Sequence, residues 1–151
     1  METTLETTGT MAEPRHAGGP VTFMNRTYDE AIDLLIEARD WLIRAEPAER
    51  DRLASADRLS MTLEATRMTT QITQVIAWLM VQKAIAEGEL AWSEATRPEH
   101  RLGGRSVCFD NASGNAQLPE ELRVLLERSH RLYVRVSRLD ELVAAQAVGH
   151  A

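Results

Sequence analysis

Several short constellations in this sequence carry side chains able to ligate, attack or transfer a proton. Glu127-Arg128-Ser129-His130 has the Glu-x-x-His spacing with which helical bundles hold a pair of iron or manganese ions. Such a centre needs two copies of the motif and inward glutamates from other helices. Only one copy falls within the helical segments, with His130 just off the local apolar stripe, so the pair reads as a solvated carboxylate and a half-exposed imidazole. His100 and Cys108 share one glycine-containing segment and have the residue types of a thiolate and its base. No oxyanion-hole motif, orienting carboxylate or glycine elbow accompanies them, which favours a buried Cys108 that anchors its segment. Gly103-Gly104-Arg105-Ser106 lacks the preceding strand and the lysine of a phosphate-cradling loop, and reads as a turn. The expectation is therefore no catalytic residue, no metal and no cofactor.

The elements that must position these residues are helical. Residues 50–87 run 38 positions without Gly or Pro, which at 1.5 Å per residue is one helix of roughly 57 Å. Steps of four and three trace one row through Met61, Ala65, Met68, Ile72, Val75, Leu79, Gln82 and Ala86. A second row, two residues out of phase, runs through Leu59, Leu63, Thr66, Thr70, Thr73, Ala77, Met80 and Ala84. Two residues turn an α-helix by about 200°. The helix thus carries a large apolar seam and, nearly opposite, a smaller threonine-rich one, and needs cover from two directions. Between them lies a polar row of Ser60, Glu64, Arg67, Gln71, Gln74 and Trp78. It is either a solvated face or a polar interface that fixes register.

Before this helix, residues 1–21 are rich in Thr, Glu, Gly and Pro and read as a disordered leader. A first helix opens at Thr22 or at Thr27, where Thr27-Tyr28-Asp29-Glu30 has capping-box spacing. Its stripe is Tyr28, Ile32, Leu35, Ile36, Leu42 and Ile43, widened by Leu34 and Trp41, and it ends near Arg44 or Ala45 ahead of Pro47. The turn there is short, so the first two helices run antiparallel. Gly88 is the expected left-handed cap of the central helix. Residues 88–117 form a long loop with a helical turn around residues 92–96 and an extended piece pinned by Val107 and Phe109. Pro119 restarts a helix whose stripe is Leu122, Leu125, Ser129, Leu132, Val136, Leu139 and Val143, widened by Leu126 and Tyr133. It is expected to pack antiparallel to the central helix and so parallel to the first. Residues 22–143 make the bundle, and residues 144–151 a short, frayed tail.

Composition narrows the function. A formal charge of −6 over 151 residues opposes nonspecific binding to nucleic acid or to an acidic membrane. The longest strongly apolar run, residues 74–82, is too short to cross a bilayer. One cysteine leaves no internal disulfide, and a cytoplasmic address follows by default.

From Tyr28 to Asp140 the chain resembles the RcdA-like regulators of CtrA degradation, small helical adaptors of alphaproteobacteria. The resemblance rests on Tyr28-x-Glu30-Ala31 and Glu37-Ala38-Arg39, then Glu64-x-x-Arg67-x-Thr69-Thr70, Gln74, Trp78-Leu79 and Gln82-Lys83-Ala84. It continues through Gly88-Glu89, Arg101-Leu102, Cys108 and Leu118-Pro119 to Ser129-x-x-Leu132-Tyr133-x-Arg135-Val136-x-Arg138-Leu139-Asp140. It implies an all-α three-helix bundle that dimerises, has no catalytic activity, and helps present selected substrates to the ClpXP protease during the cell cycle. Other adaptor proteins and the proteolysis substrates are its implied partners. A helical scaffold or regulatory dimer unrelated to proteolysis is the alternative. The candidate residues for a dimer or adaptor surface are Glu64, Arg67, Thr70, Gln74, Ala77, Trp78, Tyr133, Arg135 and Arg138.

Overall fold

The computed structural model describes residues 18–108 and 117–149, with side chains from residue 22 onward. Five α-helices appear in it: α1 Gly18–Arg44, α2 Glu46–Arg52, α3 Ser55–Ala86, α4 Arg105–Cys108 and α5 Glu120–Gly149. Two 3₁₀ turns, Trp92–Thr96 and Pro98–His100, lie between α3 and α4. The long helices α1, α3 and α5 form an all-α three-helix bundle, with no strand among the described residues.

Helix α1 buries Ala31, Leu34, Ala38 and Trp41, a row of alternating four- and three-residue steps continued back to Thr27. The stripe expected from hydropathy is rotated from this one: Ile36 and Ile43 are exposed and the two alanines are in the core. Small residues at closest approach let the helix backbones near each other, and alanine adds little to a hydropathy pattern. Thr27 is not a cap, because the helix already runs from Gly18. Its hydroxyl donates to the Phe23 carbonyl at 3.0 Å instead. Residues 18–21 of the expected leader are thus helical, and residues 1–17 lie outside the described residues.

The central helix is shorter than its composition implies. Leu53 and Ala54 are extended, at φ/ψ of −87/147° and −64/158°, and separate α2 from α3. The break turns Leu53 onto the core, so a stretch free of Gly and Pro is still divided where burial favours it. The remaining 32 residues span roughly 48 Å. The first seam is buried as its periodicity requires: Met61, Met68, Ile72, Val75 and Leu79 are at most 2% exposed. Gly88, at φ +77°, closes the helix in a Schellman arrangement, with Glu89 N donating to Ala84 O and Gly88 N to Ile85 O.

Helix direction departs from expectation. Along α1 and α5 the ion pairs Arg44–Glu121, Glu37–Arg128 and Glu30–Arg135 advance in opposite senses, so these helices are antiparallel. Between α3 and α5, Gln71 meets Ser129 and Trp78 meets Asp140, so these two are parallel. The reason is the segment taken for a loop: it leaves the far end of α3 and returns to its near end, where Gln117 N donates to Asp57 Oδ1 at 3.3 Å. It is a crossover as long as the central helix. The expected turn is present at Trp92–Thr96. The segment is pinned by Leu102 and Cys108, while Val107 is 45% exposed; Phe109 lies outside the described residues. Helix α5 buries its expected stripe and continues to Gly149, so its end is not frayed at residue 144.

Candidate functional site

The polar row of α3 faces inward onto this crossover. Glu64 and Arg67 form an ion pair with side chains only 6% and 15% exposed, and Arg67 Nε donates to the Val107 carbonyl at 2.8 Å. One turn on, Gln71 Nε2 donates to the Cys108 carbonyl at 2.8 Å and its Oε1 accepts the Ser129 hydroxyl at 2.9 Å. Gln74 packs so closely on Gly103 that a Cβ there would lie 2.6 Å from its Oε1. Trp78 Nε1 donates to Asp140 Oδ1 at 2.8 Å. Three successive turns of α3 thus hold Val107, Cys108 and Gly103, and the next reaches α5; residues 101–108 are here called the strap.

Helix α5 holds the strap from the other side. The Tyr133 hydroxyl donates to the Gly103 carbonyl at 2.7 Å. Asp140, 1% exposed, receives Arg101 Nε at 3.0 Å on both carboxylate oxygens, and Arg105 pairs with neighbouring Glu141. Gly104 sits at φ +78°, a left-handed conformation suited to glycine, and a Cβ there would press on Cys108 Sγ at 3.0 Å. Burial is the largest influence on Cys108 and raises its pKa, against the opposing influences of the neighbouring Tyr133 hydroxyl and the charge of Arg67. Its thiol is therefore neutral at physiological pH, not the nucleophilic thiolate. Burial likewise pushes the Tyr133 phenol up to about 12.

The candidate nucleophile and metal residues are engaged separately. His100 Nδ1 lies 3.0 Å from the Glu94 carbonyl, and Glu127 pairs with Arg131. Among the described residues no group of three or more His, Cys, Asp or Glu is placed to hold a metal ion.

The candidate surface residues divide into two groups. Glu64, Trp78 and Tyr133 are buried, with their polar atoms bonded within the chain. Arg67 is largely buried against the strap, and Thr70 and Gln74 are half-buried beside its glycines. Ala77 is exposed on the outer face of α3, while Arg135 and Arg138 are exposed on α5, Arg135 paired with Glu30. Asp140 and Arg101 complete the strap's anchorage and were not among the candidates. Asp140 stands seven residues beyond Tyr133 on the inward side of α5, a placement legible in its heptad spacing.

The outer face of α3 remains open. Leu59, Leu63 and Met80 are 63%, 57% and 57% exposed. Between Arg58 and Lys83 none of the exposed residues of this helix is charged. Its threonines add less polarity than their composition implies, since the hydroxyls of Thr62, Thr66, Thr69, Thr70 and Thr73 each donate to the carbonyl four residues back. Covering them leaves no hydroxyl donor unpaired. The strap borders this face on one flank. On the other, a groove of about 340 Å³ runs between α3 and the α1–α2 turn, lined by Leu42, Arg50, Thr62 and Thr69. By contrast, the α1–α5 surface is closed by its own ion pairs at seven-residue intervals. No helix among the described residues is long and apolar enough to cross a membrane.

The family described as "Protein of unknown function (DUF1465)" matches residues 20–151. The crystal structure of RcdA from Caulobacter crescentus CB15 is similar, at 30% identity over 87% of this chain and 97% of that one, with a TM-score of 0.64. No curated protein matches the chain.

Proposed function

The chain belongs to the DUF1465 family of RcdA-like proteins, and from that premise we propose that it is a non-enzymatic adaptor that delivers selected regulatory proteins to the ClpXP protease in cell-cycle control. The observation that carries this reading is the uncharged open face of α3, framed by a strap whose backbone is held in place by buried side chains. Glu64, Arg67, Gln74, Trp78, Arg101, Cys108, Ser129, Tyr133 and Asp140 all carry the resemblance to the RcdA-like proteins, and all belong to that anchorage. They act by fixing a surface.

The open face buries itself against a second copy, and the resulting homodimer is the form that engages other adaptors and substrates. Thr70 and Ala77 belong to this dimer surface; Arg135 and Arg138 offer a separate adaptor-docking face on α5. The protein works in the cytoplasm, without nucleic acid or membrane as a partner. The test is reconstituted degradation. Proteins stabilised in cells that lack the gene are purified and incubated with ClpXP and ATP, with and without this chain and other adaptors from the same cells. Faster loss of those proteins with the chain present is expected. Unchanged degradation, with the chain bound to the same proteins, would instead favour a scaffold or regulatory dimer unrelated to proteolysis.

A further inference from the structure

Resting on the reading of Arg138 as part of an adaptor-docking face, we infer that the partner adaptor binds at the open end of the α1–α5 ladder, through an acidic segment that carries a large apolar side chain. The ladder is regular. Its rungs Arg44–Glu121, Glu37–Arg128 and Glu30–Arg135 step by seven residues down α1 and up α5. One further step of seven on each helix reaches Phe23 and Leu142. Both are exposed, at 42% and 60%, so a ladder of opposite charges ends on two large apolar side chains.

Cations flank this last rung. Arg26 stands one turn from Phe23 on α1, and Arg138 one turn from Leu142 on α5, the spacing at which helix side chains are neighbours. Both arginines are exposed, and neither forms an ion pair among the described residues. The acids at helical spacing are engaged elsewhere: Glu30 by Arg135, and Glu141, one turn beyond Arg138, by Arg101 and Arg105. Only Asp29 is left within a turn of Arg26, and it does not pair with it. The ladder's other arginines each meet a carboxylate of this chain; these two do not.

That chemistry selects the occupant. Carboxylates complement the two guanidinium groups in charge-assisted hydrogen bonds, and an apolar side chain between them covers Phe23 and Leu142. Burial of the apolar pair supplies affinity, and the arginines supply selection. A nucleic acid would leave Phe23 and Leu142 unused, and two cations are too few to hold it on a chain of net charge −6. A second copy of the same patch would set arginine against arginine. The net charge also opposes a strongly acidic partner at long range, so the partner's acids are few and placed at this patch.

Photo-cross-linking and charge reversal test the site together. The full chain with p-benzoylphenylalanine in place of Leu142 is irradiated with each purified adaptor that the wild type binds. The expected product joins that position to a partner segment in which acidic residues flank an apolar one. Arg26→Glu combined with Arg138→Glu should weaken binding of that adaptor by about tenfold or more, with the helical circular dichroism unchanged because both side chains are exposed. Arg44→Glu, at the closed end of the ladder, should leave binding as it is. Replacing the partner's acids by lysine should restore its binding to the doubly reversed variant. No product, a product with a neutral or basic segment or with a second copy of this chain, or equal binding by the doubly reversed variant and the wild type would overturn the inference and leave the adaptor reading intact. A wild type that binds no adaptor would overturn both.

Discussion

The Tyr133 phenol joins burial to a specific bond, since it is fully buried and donates to the Gly103 carbonyl. Its pKa rises from the ordinary 10 to about 12 chiefly through burial. The folded state therefore keeps a proton that the unfolded chain releases first. Stability from this group is fully present below pH 10 and is lost as pH rises from 10 to 12, because over that range the unfolded chain binds fewer protons. Cys108 shifts in the same sense. Alkaline unfolding followed by circular dichroism should therefore be less steep between pH 10 and 12 in Tyr133→Phe than in the wild type, although the variant is less stable at neutral pH. Equal slopes would detach Tyr133 from the alkaline transition.

At the scale of elements, the strap is held mostly by polar anchors, and Asp140 carries the largest share. Asp140→Ala leaves Arg101 and the Trp78 indole N–H without their carboxylate in a buried site. The cost should be about 3 kcal/mol, lowering the melting temperature by roughly 10 °C. Amide hydrogen exchange should rise most in residues 101–108; a uniform rise across α1, α3 and α5 would mean that the carboxylate serves the whole bundle instead. Sequence pattern revealed much at this scale. The buried seam of α3, its glycine cap and the stripe of α5 are direct consequences of periodicity. The direction of α5 was not legible, because a segment without periodic apolar residues gives no sign of whether it loops locally or travels the length of a helix. The α1 stripe was misplaced for a related reason: Ala31 and Ala38 are buried through closeness of backbones, not hydropathy. The polar row of α3 had two readings in sequence, and only the strap lying against it decides for an interface.

The whole molecule has two unlike surfaces. The α1–α5 side is covered by exposed ion pairs, each worth at most about 1 kcal/mol, which keep it hydrated. The outer face of α3 has no exposed charge between Arg58 and Lys83 and holds three exposed large apolar residues. A seam nearly opposite the core-facing one was visible in the sequence as a second row two residues out of phase. What covers it was not, since exposure on one chain names no occupant. Ala77 is exposed, so Ala77→Arg leaves the bundle intact, yet a dimer through this face would have to bury the new guanidinium in a packed seam.

Sedimentation velocity of the wild type and of Ala77→Arg at micromolar concentration, each alone and with a substrate that the wild type delivers, addresses this surface most directly. The wild type should sediment as a dimer that carries the substrate, and the variant as a folded monomer that does not. A wild-type monomer that still binds the substrate, or an Ala77→Arg dimer indistinguishable from the wild type, would contradict the account.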